Sequence, residues 1–280
     1  MNFLLLALIA PVILLCGTVL YTQQSGKESN PMQQEPMPPK AAVILGSTGA
    51  VGQRLLDELV RSPNFSTILT VVRKPTNNLH GSDKVVEHVV SDSAKLESEV
   101  EAAINAKVKE KQCVGFSTLG IGHGTAFMTI DQHRAVDVDM NANFAKALKN
   151  SGRVNHFVLM TSAASNPKAW DWGPGGAGFP RYLRVKGEAE EAVKNSGIDH
   201  VSIFRPGAIL GIPNTPKLAE MIVPLFSFMT PANYLSVKVD DLARSMALRG
   251  QMDVSSEKEK STLYHYPEMM ELLAQVIGPH

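Results

Sequence analysis

The chain has 280 residues, of which 44% are hydrophobic and 19% are charged. This composition is typical of a globular protein, so wholesale disorder and fibrous architectures are excluded. The 27 basic residues balance 27 acidic residues, which argues against a nucleic-acid-binding protein, because such a protein needs a basic surface to replace the counterions of phosphate. Two cysteines are too few for a disulfide scaffold, and no cluster of Cys and His has the spacing of metal ligands, so no metal site is expected.

Residues 1–21 predict a hydrophobic membrane anchor. The run from residue 3 to residue 20 has no charged side chain, and as a helix it would span roughly 27 Å, close to the hydrocarbon core of a bilayer. A secretory signal sequence that is cleaved is the alternative, but no Lys or Arg precedes the run and the run is long for a signal core. The first side-chain cations, Lys27 and Lys40, follow the run, so the positive-inside rule predicts a single-pass anchor with its body facing the cytosol.

Residues 22–40 predict a flexible linker, and residues 41–280 predict an α/β domain. Gln, Ser, Glu and Pro dominate the linker, whereas after it short β-rich runs alternate with stretches of helical periodicity. This rhythm predicts right-handed βαβ units and a doubly wound parallel sheet of the Rossmann type, with a small C-terminal lobe on its substrate side. Asp240 is predicted to cap a late helix. The predicted strands are residues 41–45, 68–72, 85–90, 114–118, 156–160 and 200–204, and the predicted helices are residues 51–60, 135–149, 181–195 and 242–248.

A glycine-rich turn follows the first predicted strand with the spacing GxxGxxG. Gly46 permits a tight turn, Gly49 lets the backbone approach a pyrophosphate, and Gly52 lets the next helix pack close to the sheet. The phosphates would contact free N–H groups at the helix N-terminus. A turn without a ligand is the alternative, but the place between a strand and a helix is the one that a dinucleotide fingerprint requires. The predicted phosphate-binding residues are Gly46, Ser47, Thr48, Gly49, Ala50, Val51 and Gly52.

The end of the second predicted strand indicates which dinucleotide binds. NAD-selective sites carry an Asp or Glu there to bond the ribose 2′-hydroxyl, but this chain carries Arg73 and Lys74 and has no carboxylate before Asp83. Arg73 can bind a 2′-phosphate in bidentate fashion with Lys74 as a supporting charge, so NADP(H) is preferred over NAD(H). The alternative is that Arg73 is a solvated residue at a strand end.

Three residues form the candidate catalytic set. Tyr182 and Lys186 lie four residues apart on a predicted helix and therefore share one face. An ammonium beside a tyrosine favours the phenolate, so such a tyrosine can give a proton to a carbonyl oxygen while hydride reaches the carbon, or perform the reverse. Ser162 follows the fifth predicted strand, at the sheet edge where ligands of open α/β folds bind, and its hydroxyl can orient a substrate carbonyl. A surface helix pair is the alternative for the YxxxK spacing taken alone.

Five stretches of the chain together resemble the short-chain dehydrogenase/reductase superfamily. They read VILGSTGAVG, VGFSTLGIGHG, NHFVLMTSAAS, YLRVKGEAEEAV and IFRPGAILG, and each falls at the family's place in the βα order. The likeness covers residues 41–251 and is most similar to the atypical branch around the Tat-interacting-protein oxidoreductases. One departure is that the asparagine of the superfamily's usual catalytic tetrad is not evident on the fourth helix, where Asp137 lies near its place.

The resemblance implies an NAD(P)-binding Rossmann domain that binds NADPH through the glycine turn and Arg73. It also implies that Ser162, Tyr182 and Lys186 are the catalytic set. It adds cofactor contacts after the fourth and sixth strands. These added contacts are Leu119, Gly120, Pro206 and Gly207.

These features predict a membrane-tethered, NADPH-dependent oxidoreductase that acts on the carbonyl or alcohol group of a small molecule. The alternative is an NADPH-binding regulatory or interaction protein with little catalysis, and a homodimer or a protein partner is compatible with both. Trp170 and Trp172 lie in the loop before Tyr182 and either line the substrate pocket or pack that loop onto the body.

Overall fold

The computed structural model describes residues 38–76, 81–212 and 230–277. Seven parallel strands form its main sheet, and two short strands form a separate small sheet. The strands are β1 (Lys40–Leu45), β2 (Phe65–Val72), β3 (Val85–Val89), β4 (Cys113–Ser117), β5 (Val154–Met160), β6 (His200–Phe204), β7 (Ile209–Leu210), β8 (Val237–Lys238) and β9 (Ser261–Tyr264). The order of the main sheet is β3-β2-β1-β4-β5-β6-β9, so the direction of winding reverses between β1 and β4. Ligands of open parallel sheets bind in the crevice at such a reversal.

Helices cover both faces of the main sheet. The helical segments are α1 (Ala50–Arg61), α2 (Leu96–Lys107), α3 (Ile130–Arg134), α4 (Asn141–Asn150), α5 (Pro180–Lys194), α6 (Val239–Gln251) and α7 (Tyr266–Ile277). Two hydrophobic cores result, one between the sheet and α1, α6 and α7, the other between the sheet and α2, α4 and α5. Two-residue side-chain periodicity explains this double burial, because Ala42 and Ile44 of β1 enter one core while Val43 and Leu45 enter the other.

The predicted parallel Rossmann-type sheet matches the structure, and all six predicted strands are present. The elements that were not predicted are α2, α3, α7, β7, β8 and β9. Four of them, α3, β7, β8 and β9, have at most five residues, which is too few for a hydrophobic period to be recognised. The predicted cap of α6 is wrong, because Lys238 occupies the N-cap position and Asp240 lies within the first turn. Asp240 instead forms an ion pair with Arg54 of α1 at 3.2 Å, which joins two helices on the same face.

The helix predicted over residues 135–149 has an unexpected interior. A π-helical segment, Ala135–Met140, separates α3 from α4, so one continuous helical stretch changes its hydrogen-bonding pattern midway. Such widened turns are rare and frequently lie at functional sites. Here the segment places the carboxylate of Asp137 in the protein interior, where its side chain is 1% exposed.

The expected fold needs one correction, because the membrane-spanning helix that was predicted to precede the Rossmann domain is not supported. No helix within residues 38–76, 81–212 and 230–277 is both long and apolar enough to cross a bilayer. The predicted anchor of residues 1–21 and all but the last three residues of the predicted linker lie outside the described residues. Hydropathy reports how readily a segment leaves water, but a span also requires about 20 residues in one continuous helix, which composition alone does not establish.

A buried polar cluster lies near the amino ends of β5 and β6, at the opposite edge of the sheet from the glycine turn. Ser202 is its centre, because its hydroxyl lies 2.9 Å from both His156 Nε2 and Arg249 Nε. Arg249 also contacts His200 at 3.1 Å and Glu257 at 2.5 Å. Burial, reinforced by the Arg249 charge, lowers the pKa of His156 well below its usual value. Burial likewise lowers the pKa of His200, although Glu257 opposes this shift.

We expect the free energy of unfolding to fall as the pH is lowered below about 6.5. Above that pH, His156 and His200 are neutral in the folded and unfolded chains, so the full stability is present. Below it, the unfolded histidines take up protons that the folded protein resists, because their pKa values are lower in the folded state. Each such histidine makes the unfolding free energy fall by up to about 1.4 kcal/mol per pH unit. Urea unfolding at a series of pH values measures this slope.

The His156→Gln variant serves to assign the slope, because it removes one titrating group from the cluster. Its unfolding free energy should depend less steeply on pH than that of the wild type. His265→Gln is the matched control, since the ring of His265 lies outside the cluster. If the unfolding free energy depended equally steeply on pH in both variants, the cluster would be excluded as the cause of the pH dependence.

Candidate active site

The glycine turn between β1 and α1 has the geometry of a phosphate cradle. Gly46 adopts a φ of +90°, which only glycine tolerates well, and a Cβ on Gly52 would collide with the Gly46 carbonyl group. The N-cap residue of α1 is Gly49, so no side chain caps the helix, and its first turn contains no acidic residue. The helix N-terminus therefore keeps its favourable interaction with an anion.

A cleft of about 560 Å³ lies beside this turn, at the carboxyl ends of β1 to β4. Its volume falls within the about 300 to 1,000 Å³ typical of small-molecule sites. It also includes residues that the sequence analysis missed at the end of β3, where Val90, Ser91 and Ser93 contribute to the wall. Their position at the carboxyl edge next to β2 was the available signal. Five of the predicted cofactor residues line the cleft, namely Gly46, Thr48, Arg73, Leu119 and Gly120.

The other predicted cofactor residues lie around this cleft or outside it. Ser47 is buried within the turn, and Ala50, Val51 and Gly52 form the first turn of α1. Lys74 is exposed next to Arg73 and does not line the cleft. Pro206 and Gly207 follow β6 and lie away from the cleft. The Pro206 carbonyl accepts a hydrogen bond from Ala163 N–H at 2.8 Å, and a Cβ on Gly207 would press against the backbone of residues 234–235.

Tyr182 and Lys186 share one face of α5, as the four-residue spacing predicts. Lys186 Nζ lies 5.5 Å from the centre of the Tyr182 ring. The Tyr182 side chain is largely buried, and its hydroxyl makes no hydrogen bond to the described residues. The hydroxyl is therefore available to a substrate, while the ring and the ammonium are held in the protein.

The interior partner of Lys186 is Asp137, which the sequence analysis noted only as a departure from the family pattern. Lys186 Nζ lies 2.6 Å from Asp137 Oδ2, and His133 Nε2 lies 3.2 Å from the same oxygen. The His133 ring in turn stacks on Tyr182, with ring centres 5.7 Å apart and 23° between the planes. The four side chains form one buried cluster, which we call the Asp137 cluster. The spacing of His133 and Asp137, four residues apart on a helix, was the signal that could have found it.

Electrostatics in the Asp137 cluster favour the charged forms of Lys186 and Asp137. Burial disfavours the ammonium, but the neighbouring Tyr182 and Asp137 outweigh it and raise the pKa of Lys186 above its usual value. Burial likewise disfavours the carboxylate, but Lys186 and His133 outweigh it and lower the pKa of Asp137. The pair therefore stays ionised within the protein, as a buried pair must if neither charge is to be left uncompensated.

Ser162 lies at the carboxyl edge of β5, as predicted, but it is not joined to the other two catalytic candidates. Its hydroxyl donates to the carbonyl oxygen of Ala163 at 3.1 Å, and within the described residues it makes no hydrogen bond to Tyr182 or Lys186. Ala164, two residues later, has a φ of +59°, so the backbone turns sharply directly after the serine. The serine is thus near the strand end with its hydroxyl directed at the backbone.

Trp170 and Trp172 stack on each other, with ring centres 5.1 Å apart, and are 63% and 68% exposed. They therefore do not pack their loop onto the body. Two arginines of α5 hold the neighbouring backbone, because Arg184 donates to the Ala169 carbonyl at 2.9 Å and Arg181 donates to the Met128 carbonyl at 2.9 Å. The loop before α3, which contains Met128, and the loop before α5, which contains Ala169, are thus fastened to the helix that carries Tyr182.

Comparison with known proteins agrees with this geometry. The sequence model of an NAD(P)H-binding family matches residues 46–247. The chain belongs to this NAD(P)H-binding family. It is 32% identical over 171 residues to "Protein FMP52, mitochondrial" of Debaryomyces hansenii, which covers 61% of this chain and 67% of that protein. It is 31% identical over 199 residues to "Protein FMP52-1, mitochondrial" of Scheffersomyces stipitis, which covers 70% of this chain and 80% of that protein.

Solved structures share the fold at low sequence identity. The Bordetella bronchiseptica enzyme WbmG in complex with NAD has a TM-score of 0.57 and 14% identity, over 88% of this chain and 81% of that chain. A short-chain dehydrogenase family protein from Francisella tularensis has a TM-score of 0.56 and 14% identity, over 83% of this chain and 99% of that chain. The resemblance to the short-chain dehydrogenase/reductase superfamily is confirmed at the level of the NAD(P)-binding Rossmann domain.

The comparisons also correct the expected location. The sequence analysis predicted a single-pass anchor with a body facing the cytosol, or the secretory pathway after cleavage. The curated relatives are named mitochondrial proteins, and the described residues contain no helix that could span a membrane. The positive-inside rule applies only to a segment that inserts, so it loses its basis when the spanning helix is not supported.

The residues at the glycine turn fit a dinucleotide. The uncapped helix N-terminus, the absence of an acidic residue in the first turn of α1 and the tight contact between Gly46 and Gly52 are features that a pyrophosphate requires. Arg73 stands at the rim of the cleft and forms no ion pair with any described residue, so its guanidinium is available to an anion. The phosphate groups would lie against the turn, and the ribose near the end of β2.

Proposed function

We propose that this protein is an NADPH-dependent oxidoreductase that interconverts a carbonyl and an alcohol group of a small molecule. The observation that carries the proposal is the position of Gly120. This glycine lines the dinucleotide cleft, and it lies so close to Lys186 that a Cβ would collide with Nζ. This proximity supports the proposal that the cleft and the Tyr182–Lys186 pair belong to one site, in which the Tyr182 phenol would lie beside the bound cofactor.

The chemistry of the residues follows from their environments. When bound against the glycine turn, NADPH would supply the hydride, and with it the two electrons, that reduce the carbonyl carbon. The Tyr182 hydroxyl donates its proton to the carbonyl oxygen, which completes the alcohol, and the nearby Lys186 ammonium stabilises the phenolate that is left. Tyr182 then regains a proton from solvent, and in the reverse direction it accepts the proton of the alcohol. Ser162 orients the carbonyl if its hydroxyl turns from the backbone toward the substrate.

A screen of carbonyl compounds with the full chain tests this proposal. Oxidation of NADPH is followed by its absorbance, with a panel of aldehydes and ketones of differing size and polarity. Turnover of at least one class is the expected result. Tight NADPH binding without turnover of any compound would overturn the enzymatic proposal and leave cofactor binding intact.

A second candidate function, an NADPH-binding interaction protein with little catalysis, is favoured by one observation. The Ser162 hydroxyl is bonded to the backbone rather than to Tyr182, so the serine is not arranged for catalysis in this state. Fold by itself does not decide between the two functions. The same screen separates them, and a homodimer or a protein partner that assembles only when NADPH is present would support this second candidate.

Selectivity for NADPH is expected to depend on Arg73. In Arg73→Gln the affinity for NADPH should fall roughly 10- to 100-fold, because charge-assisted hydrogen bonds to the 2′-phosphate are lost. The affinity for NADH, which lacks this phosphate, should hardly change. Fluorescence titration of both cofactors measures the two dissociation constants.

Arg61→Gln is the matched control, because Arg61 is an exposed arginine on α1 that is paired with Glu58. Its affinities should equal those of the wild type. Tighter binding of NADH than of NADPH by the wild type would contradict the preference for NADP(H).

The names of the relatives support a mitochondrial association for this chain as well. Fractionation of cells that express the full chain, with matrix and membrane markers, tests this association. Recovery of the protein in fractions that lack mitochondria would contradict it.

A further inference from the structure

We propose that Asp137 is a positioning residue of the active site, which holds Lys186 and His133 beside the Tyr182 ring. This inference rests on the proposed function, since it assigns a role within the same site. The carboxylate of Asp137 has three contacts, and each of them comes from a different part of the fold. Ile121 N–H donates to Oδ1 at 2.9 Å, Lys186 Nζ lies 2.6 Å from Oδ2, and His133 Nε2 lies 3.2 Å from Oδ2.

Asp137 is the counterion that Lys186 needs. The lysine side chain is 5% exposed, and a buried ammonium without a partner loses its proton or unfolds its surroundings. Two other carboxylates follow Lys186 closely on α5, and both are engaged. Glu188 is paired with Arg134 and Arg184, and Glu190 accepts from Arg205 through both of its oxygens at 2.8 and 2.5 Å. Within the described part of the chain, Asp137 is therefore the carboxylate that compensates the Lys186 charge.

The π-helical segment explains how Asp137 reaches this position. Its backbone carbonyl accepts a hydrogen bond from the side-chain amide of Asn141 at 2.8 Å. The Asn141 amide oxygen in turn accepts from Ser117 at the end of β4, at 2.5 Å. Both side chains are buried, so the widened turn is fastened to the same strand end whose next residues line the dinucleotide cleft. The turn, the carboxylate and the cleft are thus fixed to one another.

The Tyr182 ring is in contact with both partners of Asp137. His133 stacks on the ring, with ring centres 5.7 Å apart, and Lys186 Nζ stands 5.5 Å from the ring centre. Because both partners contact the same carboxylate, the loss of that charge releases both constraints on the ring. Asp137 does not itself line the cleft. Its effect on turnover therefore passes through the residues that it contacts, namely Lys186, His133 and Ile121.

The Asp137→Asn variant tests the proposal, because it keeps the size of the side chain and removes its charge. Turnover should fall by about 100-fold, the lower end of the contribution of a positioned acid–base group. The groups that face Lys186 are then Tyr182, His133 and the Arg205-paired Glu190, so the ammonium loses its proton at lower pH. The alkaline limb of turnover against pH should therefore move to lower pH. Asp139→Asn is the matched control, since Asp139 is exposed on the same π-helical segment.

A second readout does not depend on turnover. In the full chain labelled with ¹³C at the lysine ε-carbon, the Lys186 signal is assigned by its loss in Lys186→Met. It should keep the shift of a charged lysine between about pH 6 and about pH 10 in the wild type and in Asp139→Asn. In Asp137→Asn it should titrate within this range, because burial then acts on Lys186 without its counterion.

Gly120→Ala provides an independent variant if Asp137→Asn fails to fold. The added Cβ collides with Lys186 Nζ, which is the mobile end of a flexible side chain, and it lies 3.3 Å from Asp137 Oδ2. It therefore separates the ion pair without removing a charge, and the Lys186 signal should shift and titrate earlier here too. An unchanged Lys186 titration in both variants would overturn the positioning role. Wild-type protein that shows the expected titration but reduces no carbonyl compound would overturn the proposed function and leave the ion pair established.

Discussion

Tyr182→Phe is expected to lower turnover by about 1,000-fold while the affinity for NADPH stays nearly constant. The substitution removes only the hydroxyl, which makes no hydrogen bond to any described residue. The ring stays in place, so its stacking on His133 and its proximity to Lys186 persist. The variant should therefore fold and bind cofactor normally but lack the acid that protonates the carbonyl oxygen. Steady-state kinetics and fluorescence titration of NADPH measure the two quantities.

Tyr266→Phe is the matched control for this experiment. Tyr266 packs against the hydrophobic core that includes α1, α6 and α7, and it plays no part in the proposed site. Its turnover should be that of the wild type. If Tyr182→Phe were as active as the wild type, Tyr182 would not be the proton donor, and the reaction would need another acid.

Gly49→Ala is expected to weaken NADPH binding roughly 100-fold without lowering the thermal stability. A Cβ at this position meets the Gly46 carbonyl oxygen at 3.4 Å, an ordinary contact distance, and the φ of −76° suits any residue. The folded protein therefore accepts alanine, but the methyl group occupies the space through which a pyrophosphate approaches the N-terminus of α1. The loss of two charge-assisted hydrogen bonds accounts for the expected change in affinity. Thermal unfolding and cofactor titration of one preparation measure both effects.

Gly122→Ala controls for the general effect of a glycine substitution, because a Cβ there meets no atom within 4 Å. It should change neither stability nor affinity. An unchanged NADPH affinity in Gly49→Ala would show that the phosphates do not lie on the glycine turn. Since Gly49→Ala tests binding and Tyr182→Phe tests chemistry, the pair also distinguishes an enzyme from a protein that only binds the cofactor.

The sequence was sufficient to predict the parallel sheet and the glycine turn because both depend on local signals. Continuous apolar runs such as residues 41–45 identify strands that are buried on both faces. Glycines at fixed offsets identify a backbone that must turn sharply and pack closely, as Gly46 and Gly52 do. The Tyr182–Lys186 pair was also found in this way, because a spacing of four residues defines one face of a helix.

The sequence was misleading where the composition or residue type of one segment was used to infer how that segment is arranged in the folded protein. The apolar run of residues 3–20 suggested a spanning helix from composition alone, but no helix of the described residues is long and apolar enough to span a membrane. Asp240 was taken as a helix cap because of its residue type, but the N-cap of α6 is Lys238, two residues earlier, and Asp240 pairs with Arg54 of another helix.

By itself, the sequence determined six of the seven strands of the main sheet, the glycine turn after the first of them and the residue types at the candidate site. Only the tertiary structure decided which carboxylate compensates Lys186. Asp137 lies 49 positions before Lys186 in the chain and on a different helical segment, so no local spacing connects them. Their pairing arises because the π-helical turn and α5 meet in the interior, where water no longer screens the charges and a buried ammonium must find a counterion.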